Sequence, residues 1–200
     1  MLKSIILEFN IMYFKYFLSL LLIFLFSISV YSAELKATKI TNINNKINVE
    51  FNNTLQLKNF TLTDNNLVSP FYESKGNKYY FFSFLSRDFK NNIIKAANDK
   101  SNKIVDNTKG LIEYKINKCT IVKQPKTILA FMSVIFNDTV EINCNILNGK
   151  YGLWVAWPSI KEKDKWNKLF EIKDKNLKEE IETNLIKHYK QKRNDNKLQK

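Results

Sequence analysis

Hydrophobic and polar positions alternate with a period of two along much of the chain after residue 34, the spacing of a half-buried β-strand. Leu35 and Ala37, followed after one slip by Ile40 and Ile43, predict a first strand over 34–43. Ile47, Val49 and Phe51 predict a second, Leu55, Leu57, Phe60 and Leu62 a third, and residues 67–72 a fourth. Asn44-Asn45, Asn52-Asn53 and Asp64-Asn65-Asn66 are the turn signals between them. Beyond a loop at Gly76-Asn77, the aromatic run Tyr79 to Leu85 predicts another strand. The period then changes. Phe89, Ile93 and Ala97 recur every fourth residue behind Asp88, an N-cap candidate, so a short amphipathic helix follows.

Residues 99–110 are polar, with little to bury, and are expected to be a linker. The strand pattern then restarts over 111–122, 128–136 and Val140 to Leu147. Asn148-Gly149 is a strong hairpin signal. The apolar stretch Lys150 to Ser159 is the next strand, stopped by Pro158. A charged loop from Lys161 to Lys168 and a short strand over 169–172 come next. Leu177, Ile181, Leu185 and Tyr189 predict a helix over 176–192. Asn176 with Glu179 fits a capping box, and the order of glutamates first and lysines last suits the helix dipole. Residues 193–200 read as a polar tail.

The two halves resemble each other. A shift of 85 residues lays Phe51-Asn52-Asn53-Thr54-Leu55-Gln56-Leu57 on Phe136-Asn137-Asp138-Thr139-Val140-Glu141-Ile142. The same shift brings Leu62 onto Leu147, Tyr72 onto Trp157 and Ser74 onto Ser159. A slightly larger one pairs Tyr79 with Trp166, Phe89 with Leu177 and Ile93 with Ile181. The expected fold class is therefore α+β. Two tandem small modules, 34–98 and 111–192, would each be an antiparallel sheet followed by a C-terminal helix. A module of about 60 residues alone buries only about 60 % of its surface, so two copies gain by sharing apolar area.

Composition adds an export signal. Lys15 precedes an apolar run from Phe17 to Val30, and Tyr31-Ser32-Ala33 closes it with small residues. A basic start, a short greasy core and a small-residue end describe a secretory signal peptide over 1–33, cleaved or retained as an N-terminal anchor. Localisation would then be periplasmic or extracellular, or membrane-anchored. Net charge is +13, which suits a polyanionic partner. Yet of the 32 basic residues only Arg87 and Arg193 are arginine, and the planar fork that clamps phosphate and reads guanine is nearly absent. Composition bias explains the lysine excess as well as a ligand does. Cys119 and Cys144 are either a disulfide, which export would permit, or two buried thiols. With one histidine, His188, and no Cys-x-x-Cys pair, a four-ligand zinc site of Cys and His cannot be built.

The second half carries a family resemblance. Asn148-Gly149, then Gly152-Leu153-Trp154-Val155-Ala156-Trp157-Pro158-Ser159, then Lys161, Lys163 and Lys165, then a helix ending at Tyr189, resemble the stage V sporulation protein G (SpoVG, septation protein) family over 118–190. Residues 34–98 look like a diverged second copy. The resemblance implies a non-enzymatic regulator that binds DNA or RNA and pairs through its sheets. The tandem would then act as a pseudo-dimer, or the chain as a homodimer. Two features depart from the family: its basic loop carries arginine where this chain has lysine, and it lacks a signal peptide.

The expected nucleic-acid-binding residues are Lys161, Lys163, Lys165 and Lys168, extended by Lys173 and Lys175. Trp157 and Trp166 are candidates for base stacking. Trp154 and Trp157 should point to opposite faces of their strand, with at least one in the core. The alternative is an exported interaction or scaffold module that pairs with an envelope protein. No nucleophile elbow, P-loop or metal-ligand spacing occurs, so neither an enzyme nor a cofactor is expected.

Overall fold

The computed structural model of the chain describes residues 34–64, 66–99, 110–125 and 127–198. The expected signal segment 1–33 and most of the expected linker, 100–109, lie outside them. The first half runs β1 (Ala37–Ile43), β2 (Lys46–Phe51), β3 (Leu55–Thr63), β4 (Asn66–Val68), β5 (Phe71–Ser74), β6 (Asn77–Tyr80), β7 (Phe82–Phe84) and α1 (Arg87–Asn98). The second runs β8 (Tyr114–Ile121), β9 (Ile128–Phe136), β10 (Val140–Gly149), β11 (Gly152–Ala156), β12 (Ser159–Glu162), β13 (Lys165–Lys168), β14 (Phe170–Ile172) and α2 (Lys175–Leu198). The chain is thus α+β with antiparallel sheets and a C-terminal helix.

Alternation builds the two large sheets. Ile47 and Val49 on β2, Leu55 and Leu57 on β3, and Val140, Ile142, Cys144 and Ile146 on β10 are all buried. One sheet has the order β1-β2-β3-β14 with β4 also on β3. The other has β11-β10-β9-β8 with β7 also on β10. Each sheet is therefore completed by a strand from the other half. Phe170 of β14 pairs with Leu57, and Phe82 of β7 pairs with Ile142. The side chains cross back: the Phe170 ring lies 5.7 Å from Phe136 and 5.0 Å from Trp157, and the Phe82 ring 4.8 Å from Phe60. Helix α1 covers β1, β4 and β7, and α2 covers β8, β11 and β14.

Backbone bonds at the two junctions correspond one to one. Lys58 N donates to Leu169 O and Asn143 N to Phe81 O. Leu169 N donates to Pro158 O and Phe81 N to Pro70 O. Lys173 N donates to Thr54 O and Leu85 N to Thr139 O. From Pro70 onward the correspondence is 88 residues, so Pro70 answers Pro158. The expected matches Tyr72–Trp157 and Ser74–Ser159 are therefore three residues out of step, and Tyr79–Trp166 one. The hairpin of β10 and β11 is longer than that of β3 and β4 and absorbs the change from 85.

Turn chemistry explains the asparagines. Asn44, Asn45, Asn52, Asn53, Asn137 and Asp138 all have φ near +50° to +60°, as a type I′ turn requires at both central positions. Thr54 Oγ1 and Thr139 Oγ1 donate to the carbonyls of Asn52 and Asn137, so these Asn-x-Thr strings are turn devices with buried asparagines.

Several boundaries differ from expectation. The strand expected over 67–72 stops at Val68, because Ser69-Pro70 breaks it and β5 begins afresh. The run Tyr79 to Leu85 divides into β6 and β7. Ser86, not Asp88, caps α1, its Oγ accepting from Phe89 N at 3.2 Å. Asp174 fills that place for α2, accepting from Asn176 N and Leu177 N at 3.0 and 3.1 Å. No acidic residue lies in the first turn of α2; Glu179 and Glu182 instead meet Lys175 and Lys178 one turn earlier. The helix continues to Leu198, through most of the expected tail.

Because the halves exchange strands, they should unfold together. Phe170→Ala or Phe82→Ala is expected to cost about 3–5 kcal/mol. In urea, tryptophan fluorescence (the tryptophans are all in the second half) and circular dichroism should show one shared transition at a lower midpoint. Two separated transitions would contradict the interlock.

Candidate nucleic-acid interface

The expected charged loop 161–168 is a β-hairpin. Ser159 pairs with Lys168, Ile160 with Asn167, Lys161 with Trp166 and Glu162 with Lys165. Pro158 cannot donate to a ladder, and its carbonyl instead accepts from Leu169 N at 2.9 Å, which closes the base of the arm. Lys163 turns it at φ +54°. Alternation splits the arm into two faces. One carries Lys161, Trp166 and Lys168, and the other Glu162, Lys165 and Asn167, with Asn167 Nδ2 donating to Glu162 Oε2 at 2.7 Å.

The six expected lysines separate into two groups. Lys161, Lys163 and Lys165 are exposed and form no ion pair among the described residues. Lys168 lies 3.7 Å from Glu171, which also meets Lys58 at 3.3 Å. Burial pushes the Glu171 carboxyl up, but the hydrogen bonds and charges of Lys58 and Lys168 outweigh it and hold it below its usual value. Lys175 pairs with Glu179 on the first turn of α2. Lys173 is structural in its contacts: its Nζ lies 2.6 Å from the mostly buried Glu50, tying β14 to β2.

Of the tryptophans, Trp166 is 68 % exposed on the arm and Trp154 50 % exposed on β11. Trp157, expected as a stacking candidate, is packed inward, with Nε1 donating to Glu182 Oε1 at 2.7 Å and its ring on Phe170. Its indole is committed to holding α2 against the exchanged strand. His188 is half-buried on α2.

The cysteines are free and buried. Cys119 and Cys144 both stand opposite Met132 from either side, so two strand spacings, about 9.5 Å, part their backbones. That exceeds the reach of a disulfide. Burial, with the Cys119 and Glu182 charges adding, pushes the Cys144 thiol up to about 12. Among the described residues no group of three or more His, Cys, Asp or Glu could hold a metal ion.

The first half has its own arm, formed by the end of the strand expected over 67–72 and the start of the one expected over 79–85. Hairpin β5–β6 pairs Phe71 with Tyr80 and Tyr72 with Tyr79. Tyr72 and Tyr79 stack at 5.0 Å, and Lys78 Nζ sits 4.7 Å over the Phe71 ring. The period-two pattern of Phe71 and Glu73 against Lys78 and Tyr80 around Lys75-Gly76 is the signal in the sequence.

The second half thus combines an antiparallel sheet, a C-terminal helix that covers it and a β-arm between the two. Residues 111–191 match the SpoVG family model. No curated protein and no solved structure shows significant similarity to the chain.

Lys173 and the arm lysines should separate experimentally. Lys173→Met leaves Glu50 buried without its cation and is expected to destabilise the fold by about 1–3 kcal/mol in chemical denaturation. Lys161→Gln is expected to change stability by no more than about 0.5 kcal/mol. Equal effects would place Lys173 outside the structural group.

Proposed function

We propose that the chain is a nucleic-acid-binding regulatory protein of SpoVG type in which two copies of the family unit are fused into a pseudo-dimer. Matched strand order, the reciprocal exchange of β7 and β14, and paired junction bonds support the duplication. The units are 34–98 and 111–192, joined by 99–110. A regulatory role of the septation or sporulation kind accompanies the family likeness of 111–191.

The observation that carries nucleic-acid binding is the β12–β13 arm. It holds Lys161, Lys163 and Lys165 in solvent beside an exposed indole. Lys168 and Lys175 flank it within reach of phosphates, while Lys173 is spent on Glu50. Binding to a generic oligonucleotide should weaken with salt, log K falling against log salt with a slope of about −2 to −3 for a single strand. Lys161→Gln with Lys165→Gln should flatten the slope by about 0.7 per lysine. No binding at low salt would remove the reading.

A second reading rests on the β5–β6 arm, whose Tyr72, Tyr79 and Tyr80 are each more than 40 % exposed. An exposed aromatic patch suits a protein partner in the cell envelope. It goes with export directed by residues 1–33. Cell fractionation with sequencing of the mature N-terminus tests it: an extracytoplasmic chain starting near Glu34 is expected, and cytoplasmic full-length protein would exclude it.

A further inference from the structure

Where the basic arm leans over the first sheet, a half-open cleft of about 500 Å³ runs between β2–β3 and β13–β14. That lies within the roughly 300–1,000 Å³ of small-molecule sites. The arm contributes Trp166 from one of its faces and Asn167 from the other, and the opposite half contributes Asn48 and Asn59. Asn59 sits at φ +66° next to an irregularity in the β2–β3 register, and its N–H donates to Asn48 Oδ1 at 2.9 Å. Lys58 and Lys168 also line the cleft, set against Glu162 and Glu171.

Charge decides what fits. The two ammonium groups meet two carboxylates, so the cleft is neutral overall and offers a phosphate no net attraction. It offers instead an exposed indole, that of Trp166, and the side-chain amides of Asn48, Asn59 and Asn167. Those are the requirements of a heterocyclic base, which stacks on the indole and presents a hydrogen-bonding edge. The lysines that can follow phosphates, Lys161, Lys163 and Lys165, are not among the lining residues, although Lys161 stands directly across the arm from Trp166.

We propose that this cleft receives one unpaired base, so that the ligand is a single strand in preference to a duplex. The proposal rests on the nucleic-acid reading above and narrows it. A base inside a duplex is covered on both faces by its neighbours. Only a single strand or a frayed end can lay one on Trp166. The site needs both halves, since the arm alone supplies only part of the lining. It also has no twin: 88 positions before Trp166 stands Lys78, and before Glu171 stands Ser83. At the position answering Lys58, the Asn143 side chain is bonded to Tyr80 O at 2.8 Å.

The test is fluorescence anisotropy with a labelled oligothymidylate 12-mer and, separately, a labelled duplex of the same length, on the described chain without residues 1–33. The single strand is expected to bind at least tenfold more tightly. Trp166→Ala should lower single-strand affinity about tenfold, erasing the preference. Asn59→Gly, which keeps the backbone's positive φ while removing the amide, should lower it less, in the same direction. Neither should change the salt slope, because no phosphate contact is lost, and circular dichroism melts should match the parent. Equal binding of duplex and single strand, or a Trp166→Ala affinity within twofold of the parent, overturns the base cleft and leaves the arm as a phosphate contact. Failure of both probes to bind at low salt overturns the nucleic-acid reading and the cleft with it.

Discussion

A strand of three residues cannot hold itself, and β7 and β14 are both that short. Each is fixed by giving its backbone to one sheet and its phenylalanine to the core of the other half. For β14 this means Leu57 across the ladder and Phe136 and Trp157 behind. For β7 it means Ile142 across the ladder and Phe60 behind. Rings of this size contribute about 1.5–3 kcal/mol each when fully buried, and Phe82 and Phe170 are both essentially inaccessible. Each sheet takes its fifth strand from the other half, and one continuous hydrophobic cluster joins the two halves among the described residues.

The arms follow from that exchange. Pro70 and Pro158 end the large sheets, the chain leaves as a hairpin, and it returns on the far side as β7 or β14. The bonds Phe81 N to Pro70 O and Leu169 N to Pro158 O pin the two feet of each hairpin together. An arm so held can carry any exposed residues without disturbing the core. Hence the fold tolerates lysines and Trp166 on one arm and stacked tyrosines on the other. It also brings the basic arm over β3 of the opposite half, since β14 continues from that arm onto β3.

Alternation made most strands legible. Ile47, Val49 and Phe51, or Val140, Ile142 and Cys144, can be assigned by eye because one face is buried. The Asn-Asn and Asn-Asp turns were equally plain, since few residues accept positive φ. Strand exchange was not legible. Phe82-Ser83-Phe84 and Phe170-Glu171-Ile172 look like any short strand, and nothing local names the ladder partner. The β12–β13 arm looks like a loop in sequence because residues 161–168 are all solvated, so hydrophobic periodicity disappears there. The six lysines were visible as a run, but the Glu50 that claims Lys173 is more than a hundred positions away. Likewise the choice between Trp154 and Trp157 for the core needed Glu182 and Phe170, which sequence spacing does not bring together.

Two corresponding halves within one chain differ from the subunits of a symmetric dimer in one respect. In a homodimer, a substitution that makes one arm basic makes both arms basic. In a tandem, the two positions are encoded separately and are free to diverge while the shared core stays intact. The Asn-x-Thr turns, the buried phenylalanines of β7 and β14 and the side-chain caps at Ser86 and Asp174 occur in both halves. The arm residues do not: Glu73 answers Lys161, Lys78 answers Trp166 and Tyr80 answers Lys168. The pattern of what is shared and what differs therefore divides the chain physically into a scaffold and two unlike surfaces. The basic arm borders a cleft lined by residues of both halves, so the segment that matches the SpoVG family model supplies only one part of that lining.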